Sequence, residues 1–205
     1  MELVTALFGH LCGQARCFVA DGVVLPVCQR CTGLYVGALL TGMWLLVGGA
    51  WRRGLPDLGV VCVHAGALIV ALLGGLHVFD FGPAWRLMCG LWTGHVAMTW
   101  LVTGATQVRA WTRAASADEV AWSGRQTMAA WLAIAAPVAV AAALTTAPPA
   151  SWSLWACVIV GGALLLAGVC LRAICVLIGA AKMAATVGCS TRRLGRQRTR
   201  LGVRE

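Results

Sequence analysis

Charge is scarce in this sequence. Only 11% of its 205 residues are Asp, Glu, Lys or Arg, against roughly 25% in soluble domains, too few to cover a water-facing surface. Acid is scarcer still, with seven Asp and Glu in all. That leaves little for paired-carboxylate catalysis or for an all-oxygen cage around a hard cation. A Walker-type Gly-Lys-Ser/Thr loop, G-x-S-x-G, H-E-x-x-H and the Rossmann glycine pattern are all missing, so the common nucleotide-binding, hydrolase and zinc-protease templates do not apply. No basic leader opens the chain either. Met1-Glu2 begins a polar, cysteine-bearing stretch, and the first long apolar run starts only at Thr32. The first 31 residues are therefore expected to remain in the mature protein.

Apolar sequence is abundant: 60% of residues are hydrophobic and the mean hydropathy is +0.83. Five stretches, roughly 32–51, 58–79, 87–108, 126–147 and 151–171, contain no Asp, Glu, Lys or Arg. About 20 helical residues cross the hydrocarbon. Backbone groups cannot be left unpaired in lipid, so such runs must be helices. The expectation is an all-α, polytopic integral membrane helix bundle of about five transmembrane helices. Residues 1–31 would form a cysteine-bearing extracytoplasmic segment, 32–181 the bundle, and 182–205 a basic cytoplasmic tail. Gly33/Gly37 and Gly90/Gly94 are G-x-x-x-G pairs that let helix backbones approach closely. They read as packing inside the bundle, and homo-oligomerisation stays open. Each pair follows a cysteine (Cys31 and Cys89), a hint of internal repetition.

The net charge of +9 is unevenly placed. Lys182, Arg192, Arg193, Arg196, Arg198, Arg200 and Arg204 stand against Glu205 alone at the C-terminal end. Lys and Arg accumulate on the cytoplasmic side, so the tail goes inside. Counting back through five spans also puts the Arg52/Arg53 and Arg109/Arg113/Arg125 loops inside and the N-terminus outside a cell (inner) membrane. A short Arg-rich run without interleaved aromatics suits anionic lipid headgroups. The expected partners are therefore the bilayer and those headgroups, with no nucleic acid. Arg172 would lie near the inner headgroups with its side chain snorkelling, or residues 174–182 would turn along the interface.

Ten cysteines are present. Cys62, Cys157, Cys170 and Cys175 lie in or beside spans, where a cysteine behaves as a small apolar residue. Cys89 and Cys189 have no obvious partner. Cys12, Cys17, Cys28 and Cys31 fall close together beside His10, and this cluster carries the chemistry. Cys-x-x-Cys is a common half of a tetrahedral thiolate site, which Cys12 and Cys17, or His10 and Cys12, would complete around zinc or another thiophilic metal. The same sulfurs suit disulfides in an oxidising compartment, or a Cys28/Cys31 pair cycling between dithiol and disulfide, with Arg30 between the two sulfurs helping to hold a thiolate. Metal binding, structural or for metal handling and transport, is favoured. The alternative is a membrane thiol–disulfide oxidoreductase exchanging electrons between Cys28/Cys31, Cys12/Cys17 and a quinone. A third reading is a scaffold whose cysteines only staple the N-terminus. Enzyme activity is the less favoured class.

The residues Cys12, Gln14, Arg16, Phe18, Leu25, Pro26, Cys28, Arg30, Cys31, Thr32, Gly33, Tyr35 and Gly37 form a recognisable series, and "FDFGPAWRLMCGLWTG" adds Asp80, Arg86, Thr93 and Gly94. Together they resemble the prokaryotic membrane proteins grouped as domain-of-unknown-function family 2085, over roughly the first half of the chain. The family signature has His where Gly13 stands and Ser where Cys17 stands. If its Cys-His…Cys…Cys pattern is a metal site, this chain has lost one ligand and gained a replacement. The resemblance implies a membrane fold and brings no established reaction.

Further polar groups are expected near the outer ends of the second and third spans. Asp80 and Arg86 either pair with each other or, with Arg30, His77 and His95, form a polar patch beneath the cysteines able to receive a metal, an anion or a headgroup. His64 and His95 lie within spans, where an imidazole must find a partner.

Overall fold

The computed structural model describes residues 17–20, 22–49, 52–76, 78–113, 121–146 and 151–200. Among them are two short strands, β1 (Cys17–Ala20) and β2 (Val23–Cys28), and five helices: α1 (Gln29–Val47), α2 (Leu58–Gly75), α3 (Pro83–Arg113), α4 (Gly124–Thr146) and α5 (Ser151–Arg200). Each helix covers one of the five charge-free stretches. Two of them, Gln29–Val47 and Ser153–Lys182, are long and apolar enough to cross a membrane, and a third qualifies if the bent α4 counts as one span. The apolar part of α2 is shorter, and α3 mixes His, Thr, Trp and Gly into its run. The chain is thus a helical membrane protein with two or three candidate spans among the described residues, rather than the expected five or so. An absence of charge identifies all five helices, but a helix enclosed by others needs less apolar surface than one facing lipid.

The centre of the bundle is the crossing of α1 and α3. A Cβ on Gly33 would sit 2.9 Å from the Leu91 amide nitrogen and against the Leu87 carbonyl oxygen. A Cβ on Gly90 would meet the Arg30 carbonyl oxygen and lie 2.9 Å from the Leu34 nitrogen. One on Gly94 would lie 2.8 Å from the Ala38 nitrogen. The two G-x-x-x-G pairs therefore face each other, and only hydrogen fits between the backbones. The α5 helix joins through Gly161, whose Cβ would meet the Tyr35 carbonyl of α1. α5 packs on both central helices, while α4 and α2 pack on α3. Hydroxyls within α3 find acceptors locally: Thr93, Thr99 and Thr103 donate to the carbonyls of Cys89, His95 and Thr99 at 2.7–2.9 Å, the usual solution where no water is available.

Two expectations for the last helix change. α5 has 50 residues, about 75 Å at 1.5 Å per residue, and runs unbroken through 174–182, so the interfacial turn, the alternative to snorkelling by Arg172, does not form there. Arg172 does not simply reach outward. Its guanidinium lies against α3, with Cζ 2.7 Å from where a Cβ on Gly104 would be.

At the end of the bundle away from the strands, Asp57 caps α2 by accepting the Val60 N–H at 2.9 Å. Trp122 donates its indole N–H to the Gly54 carbonyl at 2.7 Å, and the Gln126 amide reaches Gly48 at 3.3 Å. The α1–α2 connection and the start of α4 are thus tied together.

The crossing makes a direct prediction. Gly90→Ala should destabilise the protein in detergent by about 1–3 kcal/mol, because backbone must move to admit the methyl. Gly66→Ala, where nothing lies within 4 Å, should be neutral or stabilising by up to about 1 kcal/mol through helix propensity. Thermal unfolding followed by tryptophan fluorescence compares the two.

Candidate functional site

The cysteine segment folds as a hairpin. Ala20 pairs with Val23, and Gly22 just before Val23 takes φ +73° as a tight hairpin turn requires. The ladder is irregular between Cys17 and Val19, opposite a stretch that contains Pro26, which has no N–H to donate. Leu25 and Val27 are fully buried and pack with Val36, Leu87, Leu91 and Val158, fastening the hairpin to the bundle. The register places Cys17 directly across from Cys28.

Cys28 ends β2 and is also the N-cap of α1. The Cys31 N–H donates to its Sγ at 3.4 Å, and the Thr32 hydroxyl donates to its carbonyl at 3.1 Å. A helix N-terminus offers unpaired N–H groups and a positive dipole end, which favour a thiolate. Cys28 is only 3% exposed. Cys17 is more accessible and lines a groove of about 400 Å³ with Gln29, Pro83 and Leu144.

The same end carries the charged residues. Arg86 Nε donates to both Asp80 carboxylate oxygens at 3.0 and 2.9 Å, and its Nη2 to Oδ2 at 2.6 Å. Its Nη1 reaches the Gln29 side-chain oxygen of α1 at 3.2 Å. Asp80 also accepts the Gly82 N–H at 3.1 Å. Asp80 and Arg86 thus pair with each other, with Gln29 as an added partner that the sequence does not announce. Arg30 goes elsewhere: Nη2 donates to the Gly74 carbonyl in the last turn of α2, where carbonyls lack helical donors and a cation is favoured.

Cys89 is the residue that sequence reasoning left without a partner. It is 2% exposed, and its Sγ lies 3.3 Å from where a Cβ on Gly74 would stand. Arg30 and Asp80 both act on it electrostatically. Cys31 and Cys89 line one cavity of about 100 Å³ together with Arg30, Ala71 and Thr93. The signal was in the sequence as a cysteine just ahead of each G-x-x-x-G pair, but only the helix crossing gives it spatial meaning.

Deeper in the bundle, His64 and His95 meet edge to face with centroids 5.2 Å apart at 89°. His64 is fully buried and His95 is 4% exposed. The Trp100 indole N–H donates to His64 Nδ1 at 3.1 Å. An indole only donates, so that nitrogen is the acceptor and the imidazole proton sits on Nε2. His95 Nδ1 shares a hydrogen bond with the Thr41 hydroxyl at 2.9 Å. Neither Nε2 has a partner among the described residues. An apolar cavity of about 310 Å³, lined by Thr41, Trp44, His95 and Pro137 among others, lies beside them.

The structure therefore brings together Cys17, Cys28, Cys31, Arg30, Asp80 and Arg86 at one end and leaves His95 deeper in the interior. His10, Cys12 and His77 lie outside the described residues. Among the described residues no three His, Cys, Asp or Glu side chains are arranged to hold a metal ion.

A cysteine-bearing hairpin seated on the end of a helical membrane bundle defines the class. Residues 12–100 match the family model described as Predicted membrane protein (DUF2085), so just under half of the chain carries that family's sequence, as its motifs imply. No curated protein and no solved structure matches the chain.

The Asp80–Arg86 pair is largely enclosed, its side chains 17% and 16% exposed. Asp80→Asn would leave the guanidinium without its counter-charge and should cost about 1–3 kcal/mol. The unfolding midpoint of the purified variant in detergent checks this.

Proposed function

We propose that this membrane protein carries out thiol–disulfide exchange at the hairpin end of its bundle, with Cys28 and Cys31 as the disulfide-forming pair and Cys17 as the thiol that meets a partner protein. The observation that carries the reading is the N-cap position of Cys28, whose sulfur accepts the Cys31 N–H at 3.4 Å. Two cysteines in the first turn of a helix have a thiolate-stabilising site and a resolving thiol in one motif.

The burial of Cys28 gives the order of steps. A Cys17 thiolate, at the groove, attacks a disulfide of the partner, forming a mixed disulfide and releasing one partner thiolate. Cys28 then attacks the Cys17 sulfur from across the ladder, and the second partner thiolate leaves. Cys31 attacks the Cys28 sulfur, and Cys17 departs as a thiolate. Two electrons and two protons have passed from Cys28 and Cys31 to the partner disulfide. The sequence runs equally in reverse, oxidising a partner dithiol.

The hairpin end faces the outside in this reading and the C-terminus the cytoplasm. Support comes from Arg52, Arg53 and Arg125, which belong to the opposite end, tied together through Gly54, Gly48, Trp122 and Gln126. A second reading, zinc or another thiophilic metal held by Cys12, Cys17, Cys28 and Cys31 with His10, draws on the facing register of Cys17 and Cys28.

The test treats the full-length reduced protein in detergent with oxidised glutathione, beside metal analysis of the purified chain. Exchange predicts a linked Cys28–Cys31 peptide in mass spectrometry. With Cys17→Ser its formation should slow by about tenfold or more, because exchange rates follow access to the attacked sulfur. With Cys31→Ser the reaction should stop at a Cys17–Cys28 disulfide. Stoichiometric zinc or copper that is lost on Cys28→Ser would overturn exchange in favour of the metal site.

A further inference from the structure

We propose that Cys89 is a further member of the exchange system, forming a disulfide with Cys31 across the α1–α3 crossing. This inference rests on the exchange reading and extends it from the hairpin into the bundle. Three observations carry it. Cys31 and Cys89 line the same small cavity of about 100 Å³. The backbones that bear them are in contact, since a Cβ on Gly90, next to Cys89, would meet the carbonyl of Arg30, next to Cys31. Arg30 also lines that cavity, a positive side chain whose charge partly opposes the cost that burial puts on a Cys89 thiolate.

The step is an exchange within the chain. The Cys89 thiolate attacks Sγ of Cys31 in the Cys28–Cys31 disulfide. The bond between Cys28 and Cys31 breaks as that between Cys31 and Cys89 forms. Cys28 leaves as a thiolate in its N-cap site and takes up the proton that Cys89 gave up. No electrons are gained or lost; the oxidised pair has moved one position inward.

The four sulfurs then stand in series. Cys17 is joined to Cys28 by strand register, Cys28 to Cys31 by the helix cap, and Cys31 to Cys89 by the helix crossing. Once Cys31 is bonded to Cys89, Cys28 is available again to Cys17, so the chain can hold two disulfides, Cys17–Cys28 and Cys31–Cys89. One protein would thereby store the oxidising equivalents of two partner disulfides, and the second disulfide would lock α1 to α3.

The experiment oxidises full-length Cys28→Ser protein in detergent with oxidised glutathione and maps its disulfides after alkylation, with wild-type protein treated in parallel. The expected result is a linked Cys31–Cys89 peptide in most Cys28→Ser molecules and a loss of two free thiols. Glutathione on Cys31 with Cys89 fully alkylated would overturn the inference, even where the wild type forms Cys28–Cys31 and exchange itself stands. A wild type in which Cys28 forms a disulfide with neither Cys31 nor Cys17 would overturn the exchange reading and this one with it. If Cys28→Ser does not fold, wild-type protein at high oxidant decides. Loss of four thiols with Cys17–Cys28 and Cys31–Cys89 peptides supports the series, whereas a Cys28–Cys31 peptide beside alkylated Cys89 refutes it.

Discussion

The backbones of α1 and α3 touch, and most of what is chemically interesting in this protein follows from that contact. Four glycines permit it, two on each helix, in register so that each pair meets the backbone between the other pair. Lipid tails are as apolar as leucine, so helices in a membrane are not driven together by hydrophobic burial. Close packing and polar contacts have to do it. Small residues at the crossing provide the first. They also bring polar side chains on the two helices within reach of each other: Cys31 beside Cys89 at one end, and Thr41 bonded to His95 further in.

Away from water each polar side chain needs a partner inside the protein, and the arrangement here is largely a record of how those partners were found. Threonines bond back to their own helix, Arg30 takes a carbonyl at the end of α2, and Arg86 takes both oxygens of Asp80. The imidazoles are satisfied at one nitrogen each, by Trp100 and Thr41. The side-chain atoms left over among the described residues include the outer nitrogens of His64 and His95, the Trp85 indole nitrogen and Arg172 Nη1. The histidine pair is well enclosed and lies beside an apolar cavity, but it is held by neighbours on α1 and α3 and stands apart from the cysteines. The thiols, by contrast, are related in turn by strand register, a helix cap and a shared cavity.

Much of the fold was legible because membrane helices announce themselves by lacking charge. All five helices stand where charge-free runs occur, and the facing G-x-x-x-G pairs are packing elements as their composition suggested. What the sequence could not convey was rank among the helices. α3 lies against all four of the others and can afford His, Thr and Trp, while α5 continues far beyond one membrane thickness. The site was partly legible. Cys28 and Cys31 advertise themselves by spacing, and Asp80 with Arg86 by proximity and opposite charge. The Asp-Gly pair at 21–22 is a hairpin signal, yet the strands it joins are short and were passed over beside the cysteines. Cys89 was invisible as a partner because its relation to Cys31 is set by a crossing of two helices far apart in sequence. Arg30, read as a neighbour of the two thiols, turned out to reach across to α2 as well.

Strand register decides whether these sulfurs are a system or merely a cluster. Side chains alternate faces along a strand, so a slip of one residue would turn Cys17 away from Cys28. Several features prevent that slip. Gly22 fixes the turn through its positive φ, the irregularity opposite Pro26 takes up the excess length of β2, and Leu25 and Val27 are locked in the core. β2 then passes without a break into α1, so the residue that pairs with Cys17 is also the residue that caps the helix. Because that helix is in turn fixed to α3 by glycine contacts, the position of Cys17 is coupled through rigid elements to that of Cys89. A structural staple would need only one of these links. Three successive links, each set by a different kind of local structure, are what a path for exchange requires.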